Sequence, residues 1–316
     1  MKAQAIGSRQ AEGEGIMDRR GFLKACAVGI GAVAGLGSAR ALASAGRGRK
    51  ALRPEAQLRL GSQEWLIPGG SLREKAANLE KYGGTGLEVG DRDLPGRVKE
   101  IREALAGTKV RVSAVCAAGG PYIVPDESAR KARMENAKTL LSAAADLGST
   151  GVIMVPAFNN AADQLAGRPA RDLLLQVLAE LGEHAERVGS RVLIEPLNRG
   201  EAFFLRQLAD AASICRDANS PGVAMMGDFY HMRFEETSDM GAFLSAGAYL
   251  RHVHLGSASR KLPGQDDRSF VDGFRGLRAI GYRDFLSLEC SVKGDPEEEI
   301  PASFRFLKKQ WKEAGA

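Results

Sequence analysis

Residues 192–201, VLIEPLNRGE, decide how the rest of the chain can be interpreted. The apolar run Val192–Ile194 has the composition of a buried strand, and it leads directly into the carboxylates of Glu195 and Glu201. A carboxylate at the end of a buried strand is unfavourable unless it is paired, because moving an unpaired charge out of water costs several kcal/mol. We therefore interpret this stretch as an anchor for a metal ion and a substrate.

Three later apolar segments end on the same kind of residue. They are VAMMGD ending at Asp228, LRHVH ending at His254 and DFLSLE ending at Glu289. The steps between the four residues are 33, 26 and 35 positions, and a strand, a crossover helix and two short loops need about 30 residues. Consecutive parallel strands of a barrel bring their carboxyl ends to one face, so these four side chains are predicted to converge.

The same alternation of strand and helix patterns extends over residues 56–316. Several of the strand segments are almost continuously apolar, as expected for parallel strands that are buried on both faces. We predict an α/β fold with a single parallel eight-stranded (β/α)8 barrel, rather than an open sheet or two domains. The predicted strands are 58–61, 86–89, 110–117, 151–156, 191–195, 223–228, 250–255 and 284–289.

Residues 1–45 differ in composition from the predicted barrel. Arg19 and Arg20 are followed by Gly-Phe-Leu-Lys, then by an apolar run rich in glycine and alanine, and then by small residues around Ala43 and Ala45. A basic region, a short apolar region and an A-x-A site are typical of a secretory signal peptide. The arginine pair resembles the twin-arginine export signal. The resemblance implies export by the twin-arginine machinery to the periplasm, with cleavage near Ala43 or Ala45.

The predicted leader sets the boundaries of the mature protein. We expect translation to start at Met17 and a short tail at 46–55 to precede the barrel, with an uncleaved membrane anchor as the alternative. The whole chain has a net charge of +5, but residues 1–45 hold six Lys/Arg and three Asp/Glu, so their removal leaves about +2. No long basic stripe then remains, which argues against nucleic acid or a membrane surface as a partner of the mature protein.

Period-two alternation indicates which strand residues face the barrel interior. His252 and His254 share one face of the seventh strand, and Ser287 and Glu289 share one face of the eighth. Three acids and one imidazole at a barrel mouth are most simply stabilised by one divalent ion. Oxygen-rich ligation with a single imidazole suits Mn²⁺, our first choice, or Mg²⁺ or Co²⁺, better than structural zinc. The predicted ligands are Glu195, Asp228, His254 and Glu289.

The motifs IEPLNRGE, GDFYHM, HVHLGSASR and SLE, in this order, resemble those of the xylose-isomerase-like TIM barrel superfamily. The resemblance is closest to its ketose 3-epimerase and hydroxypyruvate-isomerase-like members, and it is strongest over the second half of the chain. In those epimerases the ligands from strands five to eight are Glu, Asp, His and Glu, which match the four residues above. The family also has a substrate-contacting Glu, His and Arg at spacings that match Glu201, His231 and Arg260.

The resemblance implies a metal-dependent sugar isomerase or epimerase. Removal of a proton next to a carbonyl needs a base, and the resulting cis-enediolate needs positive charge beside its oxygens. Glu195 and Glu289 come from strands separated around the ring, so one can lie on each face of the sugar carbon and the two can act as acid and base. The expected substrate is an unphosphorylated ketose or keto-sugar, because no Gly-rich phosphate loop follows the last two strands.

Other functions remain open at this point. A lyase, dehydratase or 3-keto-glycoside hydrolase would use the same site but release a leaving group. The abasic-site endonucleases of the superfamily use three metals and more histidines, whereas this chain has no histidine before His184. A sugar-binding protein without turnover would not need both Glu195 and Glu289. Relatives in the superfamily are often dimers or tetramers, so a homodimer is expected.

Four further residues have weaker interpretations. Glu88 ends the second strand, where family members often place an acid, but a structural role is equally open. Trp65, Phe158 and Phe229 lie in predicted βα loops and are candidates to stack on a sugar, with loop packing as the alternative.

Overall fold

Residues 55–117, 120, 122–159, 165 and 167–316 are described by the computed structural model of this chain. Within them, eight parallel strands form a closed barrel in sequence order, and the last strand pairs with the first. The prediction of a (β/α)8 barrel is confirmed. The predicted leader at 1–45 and almost all of the predicted tail at 46–55 lie outside the described residues.

The elements follow the alternation expected from the sequence. The strands are β1 (Arg59–Gln63), β2 (Gly86–Gly90), β3 (Arg111–Cys116), β4 (Val152–Met154), β5 (Val192–Ile194), β6 (Val223–Asp228), β7 (Leu250–Leu255) and β8 (Phe285–Leu288). The helices are α1 (Leu72–Tyr82), α2 (Leu94–Leu105), α3 (Glu127–Asp146), α4 (Gly167–Val188), α5 (Leu208–Ala218), α6 (Phe229–Glu235), α7 (Asp239–Ala246), α8 (Val271–Ile280) and α9 (Pro296–Glu313). A 3₁₀ turn at Gly247–Tyr249 precedes β7.

Two separate apolar clusters hold the barrel together. The larger one lies between the strands and the surrounding helices, while a smaller one is formed by alternate residues of adjacent strands and fills the barrel interior. Leu193 and Met226 belong to the interior cluster and stand two positions before Glu195 and Asp228. Because side chains two apart on a strand share a face, the interior cluster lies beneath Glu195 and Asp228. The interior cluster consists of Ala114, Ile153, Leu193, Ala224 and Met226.

The sequence patterns did not predict helix α6, which follows β6 without a loop. Asp228 ends β6 and also begins this helix, since its Oδ1 accepts a hydrogen bond from the backbone N–H of Tyr230 at 2.8 Å. A seven-residue helix is too short to display the periodicity by which helices are found in a sequence. The helix matters for function because it carries His231.

The candidate role of Phe229 in sugar stacking is wrong. Its side chain is fully buried, and its ring centroid lies 5.3 Å from that of Phe243, 4.8 Å from that of Phe270 and 6.0 Å from that of Phe274. Helix α6 turns this ring toward α7 and α8, so Phe229 is part of an aromatic core. Among the described helices, none is both long enough and apolar enough to cross a membrane.

Candidate metal and active site

The four predicted ligands meet at the carboxyl ends of β5 to β8. One donor atom from each of Glu195, Asp228, His254 and Glu289 lies within 4.8 Å of the others. Glu195, Asp228 and His254 are buried, while Glu289 is only partly covered. The structure therefore brings these residues together as the strand spacing predicted, and their roles as ligands stay predictions.

His254 provides the observation that tests whether a cation fits this group. Its Nδ1 lies 3.0 Å from Oε2 of Glu289 and 3.7 Å from Oε1 of Glu195. These two contacts do not have the geometry of hydrogen bonds. Nδ1 is therefore a buried polar atom without a hydrogen-bond partner in the described part of the chain. A buried ring nitrogen of this kind, facing two carboxylates, is where a divalent cation would be accommodated. The residues present therefore fit a metal ion.

The same contacts change the proton affinities of the site. Burial alone would lower the pKa of His254, but Glu88 and Glu289 raise it well above its ordinary value. Burial raises the pKa of Glu195, although His254 opposes this shift. Burial would also raise the pKa of Glu289, but His254 and Arg260 together lower it to about 2. The two carboxylates predicted to transfer protons are thus shifted in opposite directions.

Arg260 reaches across the site from the loop after β7. Its Nη1 lies 2.5 Å from Oδ2 of Asp228, its Nη2 contacts Oε2 of Glu289, and its guanidinium carbon is 4.5 Å from the ring centroid of Tyr230. The guanidinium therefore contacts two carboxylates at once and brings a permanent positive charge to the edge of the predicted metal group. The structure thus places Arg260 beside Asp228 and Glu289, and its role as a substrate contact stays a prediction.

The backbone of Arg260 is held in an unfavourable conformation. Its φ is +56°, which costs of order 1–3 kcal/mol for a residue other than glycine. Asp266 braces this loop, because its Oδ2 accepts from Ser257 Oγ at 2.6 Å and from Ser259 N and Oγ at 2.9 and 2.8 Å. Although burial opposes the shift, hydrogen bonds from Ser257 and Ser259 lower the pKa of Asp266 to about 2. The loop is therefore fixed around Arg260 at neutral pH.

His231 and Glu201 are joined by a residue that sequence reasoning missed. Asn198 Nδ2 contacts His231 Nδ1 and Glu201 Oε1, each at 2.8 Å, while Asn198 Oδ1 accepts from Gly200 N at 2.8 Å. The contact with Gly200 fixes the amide orientation, so Nδ2 donates and His231 Nδ1 accepts. The hydrogen of His231 is then on Nε2, which lies 3.5 Å from Asp228 Oδ2. His231 can therefore act as a hydrogen-bond donor toward the site.

A second buried group lies against the first. Glu88 contacts His252 Nε2 at 2.7 Å and His254 Nε2 at 2.9 Å, and Gln63 Nε2 donates to Glu88 Oε1 at 2.8 Å and to Glu289 Oε1 at 3.0 Å. The sequence left the role of Glu88 open and gave Gln63 none. Gln63 ends β1, two residues beyond the end predicted for that strand, so the sequence pattern did not mark it as a residue of the site.

An open cavity of about 290 Å³ adjoins the group at the barrel mouth. This volume is close to the lower end of the range for small-molecule sites, roughly 300–1,000 Å³. Trp65 stands at its edge with 61% of its surface exposed, and its indole N–H donates to Oε1 of Gln63 at 2.5 Å. Trp65 is thus the candidate aromatic residue that lines this cavity. The cavity is lined by Gln63, Glu64, Trp65, Glu88, Val89, Gly90, Asp91, Cys116 and Glu289.

Comparison with known proteins agrees with this architecture. The 3-dehydro-D-guloside 4-epimerase of Escherichia coli strain K12 is 26% identical over 260 residues, which cover 79% of this chain and 99% of that protein. The D-psicose 3-epimerase of Ruminiclostridium cellulolyticum is 31% identical over 119 residues, or 38% of this chain and 41% of that protein. The crystal structure of 3-keto-D-glucoside 4-epimerase from E. coli, in its apo form, superposes with a TM-score of 0.73 at 26% identity, covering 80% of this chain and all of that one.

These relatives are sugar epimerases by name. The sequence model of the family described as "Xylose isomerase-like TIM barrel" matches residues 76–310. That match spans most of the chain and includes β5 to β8 with the four residues gathered at their ends. The chain therefore belongs to the xylose isomerase-like TIM barrel family.

Proposed function

We propose that this protein is a metal-dependent epimerase or isomerase that moves a proton at a carbon next to a carbonyl in an unphosphorylated ketose or keto-sugar. The observation that carries the proposal is the convergence of Glu195 and Glu289 on one group with Asp228 and His254. The relatives named as sugar epimerases support it, and one of them is covered over almost its whole length.

The two glutamates can share the proton transfer. Glu195 follows β5 and Glu289 follows β8, so they approach the mouth from strands that β6 and β7 separate. One carboxylate takes the proton from the carbon, and the other returns a proton to the opposite face, which inverts the centre. Return of the proton to the neighbouring carbon gives an isomer instead. This proton transfer needs no third base, since either glutamate can act as acid or base.

The remaining residues provide binding and charge. We propose Glu195, Asp228, His254 and Glu289 as the ligands of one divalent cation, with Mn²⁺ preferred and Mg²⁺ or Co²⁺ as alternatives. When bound, such a cation would supply positive charge that stabilises the enediolate oxygens of the reacting sugar.

Three further side chains would then contact the substrate. We assign this role to Glu201, His231 and Arg260, which the resemblance had marked as substrate contacts. His231 would donate through Nε2–H and Arg260 through its guanidinium, whose positive charge would stabilise the enediolate oxygens.

The character of the cavity supports an uncharged sugar as substrate. Its described lining includes the acids Glu64, Glu88, Asp91 and Glu289 and contains no lysine or arginine. Hydroxyl groups can donate to these carboxylates, and the described lining offers no lysine or arginine to pair with a phosphate. The exposed face of Trp65 offers an apolar surface of the kind that packs on a sugar ring.

The proposal is tested by incubating the Mn²⁺-loaded protein with a panel of ketoses and 3-keto-glycosides in D₂O. We expect deuterium to enter at a carbon next to the carbonyl while the rest of the substrate stays intact, as seen by NMR and mass spectrometry. Release of an aglycone or of water would instead identify the keto-glycoside hydrolase or the lyase. If no substrate exchanges and none is cleaved, sugar binding without turnover becomes the better interpretation.

We also propose that the protein is exported to the periplasm by the twin-arginine route. The support is the arginine pair Arg19 and Arg20, followed by an apolar stretch and small residues. Replacement of both arginines with lysine keeps the charge, yet it should leave the precursor in the cytoplasm, as measured by immunoblotting of cell fractions. A single replacement within the predicted leader, Arg40→Lys, is a matched control that should not alter export. Unchanged export of the double variant would contradict this assignment.

A further inference from the structure

Glu88 uses both of its carboxylate oxygens on neighbours that lie at or beside the predicted metal group. Oε2 is 2.7 Å from His252 Nε2 and 2.9 Å from His254 Nε2, while Oε1 is 3.0 Å from His254 Nε2 and 2.8 Å from Gln63 Nε2. A carboxylate can only accept, so both imidazoles donate to it through Nε2–H. Glu88 therefore fixes which ring nitrogen of His254 carries the hydrogen.

This arrangement determines the direction in which His254 presents its other nitrogen. With Nε2–H turned toward Glu88, Nδ1 is directed at Glu195 and Glu289 and has no hydrogen-bond partner in the described structure. An imidazole that ligates a metal must offer a lone pair, and it commonly donates its other N–H to a carboxylate. His254 has this arrangement, and Glu88 is the carboxylate that accepts the N–H.

We propose that Glu88 is a positioning residue of the metal centre: its carboxylate orients His254 for the cation, and His252 and Gln63 hold that carboxylate in place. The inference rests on the metal site of the proposed function and adds residues to which the resemblance gave no role. Gln63 also links Glu88 to a carboxylate proposed to transfer protons, because its amide nitrogen donates both to Glu88 and to Glu289.

Glu88 and the two histidines that donate to it are all buried. Glu88 has 1% of its surface exposed, and His252 and His254 are fully buried. Loss of the carboxylate would leave two buried N–H donors without their acceptor. His254 could then rotate or shift to satisfy Nε2, and Nδ1 would no longer be held toward Glu195 and Glu289. The expected consequence is weaker metal binding, beyond any general loss of stability.

The test compares Mn²⁺ binding by parent protein, Glu88→Ala and Glu88→Gln, each freed of metal by chelation and measured by isothermal titration calorimetry. We expect Glu88→Ala to raise the Kd for Mn²⁺ by about 10- to 100-fold, in line with the effect of losing such a support. Glu88→Gln keeps the shape and one acceptor oxygen, so its Kd should rise by a smaller factor. If Glu88→Ala does not fold, Glu88→Gln still allows the Kd for Mn²⁺ to be compared with that of the parent. With Co²⁺, the visible absorption bands of both variants should shift because the ligand geometry changes.

Asp239→Asn is a matched control. Asp239 is a well-covered carboxylate in an ion pair with Arg268, at 2.9 Å, on helix α7 and outside the metal group. This variant should lower the melting temperature of the metal-free protein and leave the Kd for Mn²⁺ unchanged. A purely structural Glu88 would behave like Asp239, with a lower melting temperature in the folded variants and a Kd close to that of the parent.

Three outcomes would overturn the inference. The first is a Kd in both Glu88 variants that matches the parent, and the second is binding of two ions per chain with one lost in Glu88→Gln, which would make Glu88 a ligand. A parent protein that binds no divalent cation would overturn this inference and the metal site together. The calorimetry does not depend on turnover, so a parent that binds Mn²⁺ but exchanges no proton would refute only the proposed function.

Discussion

Replacement of Glu289 with Gln should reduce epimerisation by roughly 10²- to 10⁴-fold, the usual contribution of a positioned general acid or base. The amide has nearly the same shape, so contacts with Gln63 and Arg260 can partly persist, but it cannot accept a proton at neutral pH. The rate should be measured with saturating Mn²⁺, because Glu289 also belongs to the predicted metal group. Glu195→Gln should reduce epimerisation to a similar extent.

The two variants should differ in which epimer they label in D₂O. If each glutamate serves one face of the carbon, Glu289→Gln still contains Glu195, which can remove and return a proton on its own face. Deuterium should then enter one epimer without inversion in Glu289→Gln and the other epimer in Glu195→Gln. Asp239→Asn, a distant acid-to-amide change, should retain both labelling and inversion. Parent-like epimerisation by metal-loaded Glu289→Gln would refute the two-glutamate mechanism.

Replacement of Asp228 with Ala should abolish metal binding and, with it, turnover. Asp228 is almost fully buried and belongs to the four-residue group, and its Oδ1 caps helix α6. Its loss removes one negative charge from the group. It also releases Arg260, which contacts the Asp228 carboxylate in the parent protein. We expect the metal content, measured by elemental analysis after dialysis, to fall from about one ion per chain to near zero. Activity should fall by at least about 10³-fold.

Two further variants distinguish the role of Asp228 at the site from its role as a helix cap. Asp228→Asn keeps an oxygen that can cap α6 but loses the charge, so it should also lose metal while retaining more stability. Ser238→Ala removes a similar cap, since Ser238 Oγ accepts from Gly241 N at 3.0 Å at the start of α7. It should cost about 1 kcal/mol of stability and leave the metal content unchanged. Full metal occupancy in both Asp228 variants would show that the ligands lie elsewhere.

Much of the fold and the site could be predicted because their determinants are local and periodic. Apolar runs ending on Glu195, Asp228, His254 and Glu289 at steps near 30 residues specify successive parallel strands, and the boundaries predicted for β6 and β7 match the structure. Since parallel strands in a barrel all end at one face, strand order alone brings those four side chains together.

The tertiary structure decided which atoms of these residues meet. Glu88 lies 164 residues before His252, and Gln63 lies 226 before Glu289, so no local pattern indicates that these pairs are in contact. Ring closure between β8 and β1 creates the proximity of Gln63 and Glu289. The unpartnered nitrogen of His254 likewise depends on the direction of one side chain, which strand alternation does not specify.

The interpretation of Phe229 failed for a related reason. Its position after a strand suggested a loop at the mouth, but the Asp228 cap starts α6 at once and turns the ring into contact with Phe243 and Phe270. Residue type and strand spacing determined by themselves the barrel and the convergence of Glu195, Asp228, His254 and Glu289, because both follow from periodicity along the chain. The contacts of Glu88 and Gln63 at the site were decided only by packing among segments far apart in sequence, because they depend on distances that the linear order of residues does not contain.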